Sequence, residues 1–224
     1  MPSENNPDNS LAIFVEGIRW LNIRWGRWRC EDGLHRRGFT GPFENWPWHA
    51  TWRAMLALPV IMDRRMLERE ALRLSRHIAG LRREDPRRSI HLFSLSCGAF
   101  VALRAVELLA EGVEVESLAM MAGAISPWRD LRPALAHIRG KLVATSSKLD
   151  WLVLGAGTSI FGTADRRHSP SAGMLGLRHS SARDAKVVQI RWRPAMVSLG
   201  WLGGHFTSSA AGLVARHVGP AMGL

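Results

Sequence analysis

With only Cys30 and Cys97 in 224 residues, the chain offers no disulfide framework to read from spacing. Cys97 also falls inside a tight strand-to-helix sequence, where a bridge would disturb the turn, so both thiols are expected to be free. An export signal is lacking too: the stretch from Met1 to Asn9 carries acid and amide groups where a leader needs basic residues and then a long apolar core. Apolar runs such as Met55-Leu56-Ala57-Leu58-Pro59-Val60-Ile61-Met62 fall far short of the roughly 20 residues a membrane-spanning helix requires. There is no internal repeat, and no low-complexity segment beyond the polar start. These absences point to a soluble, cytoplasmic protein with no membrane span.

What is present fits one α/β domain. Apolar residues make up 46% of the chain, an ordinary share for a globular protein, and residues 1–10 read as a disordered tail ahead of a single domain over 11–224. The net charge is +11, carried almost wholly by arginines spread from Arg19 to Arg216. Such a scattered positive surface concentrates anionic substrates or membrane surfaces without identifying either. Between Ile18 and Trp28, Trp20, Trp25 and Trp28 interleave with Arg19, Arg24 and Arg27, a pattern that also suits nucleic-acid binding by phosphate contact and base stacking. No RNA- or DNA-binding signature accompanies it. The favoured reading is an amphipathic helix with its tryptophans packed inward, and no specific nucleic-acid partner is expected.

The order of elements sets the fold class. Leu11 to Val15 is a continuous apolar run of strand length, and Trp46 to Trp52 is a second strand candidate, weakened by Pro47. Asp63 is placed to cap a helix whose apolar face is Leu67, Ala71, Leu74, Ile78 and Leu81, ended by Asp85-Pro86. A strand from Ser89 then leads into an almost wholly apolar helix, Ala99 to Ala110, closed by Gly112. Further strands are expected at Val115 to Ala122, Lys141 to Ser146 and Val187 to Trp192, with helices at Leu131 to Arg139 and Thr207 to Val218. Alternation of this kind predicts a mostly parallel central sheet with helices on both faces.

The segment Ser89 to Phe100 carries the chemistry. Ser94-Leu95-Ser96-Cys97-Gly98 matches a nucleophile elbow, Gly-x-Ser-x-Gly, except that serine stands for the first glycine. An ordinary βα junction containing a serine is the plainer alternative. A serine hydroxyl needs a base within reach and a third group to orient that base. In a parallel sheet, such groups gather beyond the C-terminal ends of strands. Asp150 follows the strand ending at Ser146, and its alternative role is a helix cap before Trp151; Asp165, flanked by Arg166 and Arg167, reads as a surface ion pair. His205 occupies the loop after the final strand, where Gly203 and Gly204 would let its ring reach back over the sheet, whereas His217 lies within the last helix.

Serine, acid and histidine in that order, each past a different strand, resemble the α/β-hydrolase superfamily. The resemblance runs from Leu11 to Val218 and rests on Ser96, Gly98, Asp150 and Gly204-His205. The chain departs from the pattern at Ser94, and at Glu16-Gly17, where the family has a His-Gly pair. The resemblance implies a serine esterase or lipase-like enzyme acting on a small-molecule ester through an acyl-enzyme, with no cofactor and no metal. It further implies an oxyanion hole of the Cys97 and Ile18 backbone N–H groups. Only one βα unit lies between Ser96 and Asp150, so no large cap domain fits there, and the glycine-rich stretch from Gly155 to Gly173 is either a drape over the pocket or a surface loop. Cys97 as nucleophile is disfavoured, because its main chain rather than its side chain should face substrate. Two other functions compete: a catalytically inactive binding protein of the same fold, and a basic nucleic-acid binder.

Overall fold

The computed structural model describes residues 9–17, 26–46 and 63–224. Six strands form one all-parallel sheet: β1 (Ser10–Val15), β2 (Phe43–Trp46), β3 (Ser89–Leu95), β4 (Ser117–Met121), β5 (Leu142–Ser146) and β6 (Val187–Arg191), in the spatial order β2-β1-β3-β4-β5-β6. The four strands β1, β3, β4 and β5 are buried along their whole length, which is why they are rich in apolar residues on both faces rather than alternating apolar with charged ones. The expected parallel α/β fold is therefore present.

Strand order reverses at β1. The chain steps outward to β2 through α1 (Arg27–His35), returns to β3 through α2 (Arg64–Glu84), and moves on to β4 through α3 (Gly98–Glu107). Since parallel crossovers are right-handed, the reversal sends helices to opposite faces. The contacts agree, with α2 packed on α3, and α1 packed instead on the C-terminal helical turns 211–218. A reversal of this kind opens a crevice between the C-terminal ends of β1 and β3, where doubly wound folds place ligands.

Several elements follow local chemistry. The Asp63 carboxylate accepts from the Met66 N–H at 3.0 Å, and α2 buries Leu67, Ala71, Leu74, Ile78 and Leu81, the expected cap and face. At the other end Asp85 is extended ahead of Pro86. Cys30 and Cys97 are both buried, and no disulfide joins them. No helix among the described residues is long and apolar enough to cross a membrane.

Other expectations are corrected. The strand at Ser10 starts inside the supposed tail, and the second strand is Phe43–Trp46, with 47–52 outside the described residues. Trp28 does not pack inward: it is 66% exposed, while α1 buries Cys30, Gly33 and Leu34. Two residues is about 200° of helix, so Trp28 cannot share the face of Cys30. That face meets backbone, since a Cβ on Gly33 would lie 2.6 Å from the Ala211 carbonyl oxygen. The helix expected over 131–139 is only Arg132–Leu135, and the last helix is a run of short turns, including a π-helix at Val214–Val218. The glycine-rich stretch after Gly155 is partly helical, with a π-helix at Trp151–Gly157 running into an α-turn at Thr158–Phe161.

Candidate active site

Ser96 stands at the crevice. It leaves β3 with φ at 56°, a left-handed conformation that non-glycine residues adopt rarely and that marks strain held by the surroundings. Those surroundings are well defined: the Ser96 N–H donates to the Met121 carbonyl at 3.0 Å, while the Ser96 carbonyl accepts from Ala99 and Ala124. The turn also needs close approach between α3 and the end of β1. A Cβ on Gly98 would lie 2.3 Å from the Glu16 carbonyl oxygen and 2.5 Å from that of Val15. Only glycine fits at position 98 without moving one of these segments. The serine in place of the first glycine is accommodated, because Ser94 is fully buried and its hydroxyl donates to the Ala119 carbonyl of β4 at 2.8 Å.

One strand over, Gly17 closes the other wall. A Cβ there would come within 3.0 Å of the Ser96 Cβ, so the main chain leaving β1 runs against Ser96. Ile18, the expected second oxyanion donor, lies outside the described residues. Cys97 is the N-cap of α3 and is wholly buried. Its thiol is thereby shielded from solvent.

Asp150 and His205 come together. The His205 Nδ1–H donates to Asp150 Oδ2 at 2.8 Å, with 11% of the histidine side chain and 3% of the aspartate side chain exposed. The helix-cap alternative for Asp150 is excluded, for its carboxylate makes no bond to the turn that follows it. With Nδ1 donating, Nε2 is left as the basic nitrogen. Ser96 Oγ makes no hydrogen bond to the imidazole here; such catalytic bonds commonly tighten only in the substrate complex.

The loop bearing His205 is braced from several sides. Gly203 takes a φ of 87°, and a Cβ on it would meet Leu149 at 2.6 Å, so only glycine lets the loop lie on the residue beside Asp150. The Thr207 hydroxyl receives the Leu202 N–H, the Ser208 hydroxyl donates to the His205 carbonyl at 2.8 Å, and Arg29 of α1 donates to the Phe206 carbonyl at 2.8 Å. The Phe206 ring stands edge-on to the imidazole. Sequence reasoning named Gly17 only as a departure from the family pattern, and missed its contact with Ser96, Gly203 as a packing glycine, and Arg29. It also missed the apolar rim around the pair, where Leu149, Trp151, Leu152, Leu202 and Phe206 are all more than half exposed. Apolar residues in loops just past strand ends were the available signal.

Asp165 departs from its expected role as a surface ion pair. It is an internal anchor, accepting from the Ser126 N–H at 2.9 Å and the Thr163 hydroxyl at 2.6 Å, with Arg129 at 3.7 Å. His217 sits in the terminal π-turn, as expected. Among the described residues, no group of three or more His, Cys, Asp or Glu is arranged to hold a metal ion. No protein-family model matches the chain, and no curated protein matches its sequence.

Proposed function

We propose that the protein is a serine hydrolase of the α/β-hydrolase type that cleaves carboxylic esters. The observation that carries this reading is the Asp150–His205 pair, with its carboxylate buried, formed between the segments that follow β5 and β6 on the same sheet edge as the strained Ser96. A carboxylate bonded to Nδ1 fixes the imidazole tautomer and favours the imidazolium that forms when Nε2 takes a proton. A left-handed serine at a strand-to-helix turn presents its hydroxyl outward, and the N-terminus of α3 beneath it favours developing negative charge.

In this mechanism His205 Nε2 removes the Ser96 proton as Oγ attacks the ester carbonyl. The oxyanion is held by the Cys97 N–H and a second main-chain donor after Gly17, for which Ile18 is the candidate. The imidazolium gives its proton to the departing alcohol, and water repeats the sequence on the acyl-enzyme. The exposed apolar rim suits an apolar acyl group, and the short helical turns at 151–161 stand where a small lid would be.

Labelling with a fluorophosphonate, located by mass spectrometry, tests this reading together with turnover of nitrophenyl esters. Modification at Ser96 that disappears in His205→Ala is expected. A folded protein that neither labels nor turns over ester is instead an inactive binding protein of the same fold.

A further inference from the structure

A cavity of about 890 Å³ opens beside the elbow, and its chemistry differs from that of the apolar rim. Four guanidinium groups line it: Arg64, Arg129, Arg166 and Arg167. Its position is fixed by the main chain. Ala124, which donates to the Ser96 carbonyl, also accepts from Ala164, and two residues further on Ser126 lines the cavity. Two residues span at most about 7 Å, so the cavity adjoins the nucleophile rather than lying across the molecule. Phe100, one turn into α3, forms a shared floor under Arg64 at 4.6 Å and Arg129 at 5.3 Å.

The four arginines fall into two pairs. Arg64 is bonded to Glu68, and Arg129 to Glu107 through two nitrogens and to Asp165 at 3.7 Å, which holds both in place. Arg166 and Arg167 have no acidic partner among the described residues. The turn beneath them is nonetheless rigidly built: Thr163 accepts from the Arg166 N–H with its carbonyl and from the Arg167 N–H with its hydroxyl. Arg166 is held at φ 61°, in the left-handed region. Of the lining carboxylates, Asp165 is consumed by Ser126, Thr163 and Arg129, and Asp130 by a two-pronged bond to Arg132. The cavity therefore holds uncompensated positive charge, presented as planar forks that match phosphate oxygens.

We infer that this cavity is a binding site for a phosphate or diphosphate group, and that, on the hydrolase reading above, the ester substrate carries that group. With Arg64 and Arg129 already engaged by carboxylates, the free forks are those of Arg166 and Arg167; the two oxygens of a carboxylate fill one of them, whereas a phosphate offers three oxygens to the pair.

The test has two arms. In the first, inorganic diphosphate is titrated into the full-length protein by calorimetry at low and moderate salt, and compared with Arg166→Asn/Arg167→Gln; asparagine tolerates the left-handed backbone at 166. Binding to the parent that weakens with salt and falls at least about tenfold in the double variant is expected, with thermal unfolding confirming that the variant is folded. No binding, or equal binding to both proteins, overturns the inference. In the second arm, kcat/KM is measured for an ester bearing a terminal phosphate and for the same ester ending in a hydroxyl. A preference for the phosphate ester of about tenfold or more, reduced in the double variant, places the group on the substrate. Equal rates on both esters overturn that assignment. Diphosphate binding without any ester turnover supports the site while counting against the hydrolase reading, so the two failures are told apart.

Discussion

Replacing Asp150 with asparagine separates the role proposed for it from the one it would have as a cap. Asparagine caps helices about as well as aspartate, so a capping Asp150 would tolerate the change. As the partner of His205 it would not. The Asp150 side chain is 3% exposed and accepts the His205 Nδ1–H at 2.8 Å. An amide in its place either turns its oxygen to Nδ1 without the charge that stabilises an imidazolium, or turns its NH₂ there and forces the proton onto Nε2. In the second case the base is lost. A wrong tautomer in such a triad lowers kcat by about 10⁴, or about 5 kcal/mol of barrier. The stability cost is far smaller, since exchanging a charged for a neutral hydrogen bond of the same shape is worth about 1 kcal/mol. The assay is kcat and KM on a short nitrophenyl ester beside urea denaturation of the same samples. Turnover within about threefold of the parent, with stability intact, would refute the role given to Asp150.

Two further outcomes follow from packing and burial. Gly98→Ala places a Cβ against two backbone carbonyl oxygens of the β1 end, so it should cost about 1–3 kcal/mol in denaturation and, by displacing Gly17 from Ser96, on the order of 10² in kcat/KM. His91 is buried between β3 and β4 with Nδ1 2.7 Å from the Ser117 hydroxyl, and burial pushes its pKa down from 6.5 to about 4. The unfolded chain then binds the proton more readily than the folded one between those values. Stability is full above pH 6.5 and falls as the pH drops toward 4, by about 3 kcal/mol from this group. His91→Gln should flatten that loss in denaturation curves at pH 7 and 4.5; an unchanged acid slope would remove His91 as the cause.

Much of the fold was legible because the buried parallel strands leave a signal that survives without alignment: Leu11 to Val15 is wholly apolar, Ser89 to Leu95 is mostly so and buried on both faces, and α2 keeps a strict apolar stripe under an Asp63 cap. What was not legible lies after β5. There the chain forms π-turns and 3₁₀-turns at 151–157, 194–199 and 205–207, whose periods match neither 3.6 nor 2. Such segments are shaped by tertiary bonds, as at Thr207 and Ser208, rather than by local propensity. Trp28 failed for a related reason: its neighbours are arginines on one side and a backbone contact at Gly33 on the other, and only the partner surface decides which face is buried.

The candidate site was more legible than the structure around it, and the cause is topological. A parallel sheet delivers the C-terminal end of each strand to one edge, so a serine after β3, an acid after β5 and a histidine after β6 share that edge whatever the intervening turns do. Position relative to a strand end therefore locates the residues, although it does not orient them. Orientation comes from details without a sequence period: Gly203 letting the histidine loop rest on Leu149, Arg29 reaching over from α1 to the Phe206 carbonyl, and Gly17 allowing the β1 end to touch Ser96. Ser94 is accommodated for a separate, local reason. The first elbow position requires a small side chain, and a serine whose hydroxyl is satisfied by the Ala119 carbonyl meets that requirement while adding a bond between β3 and β4.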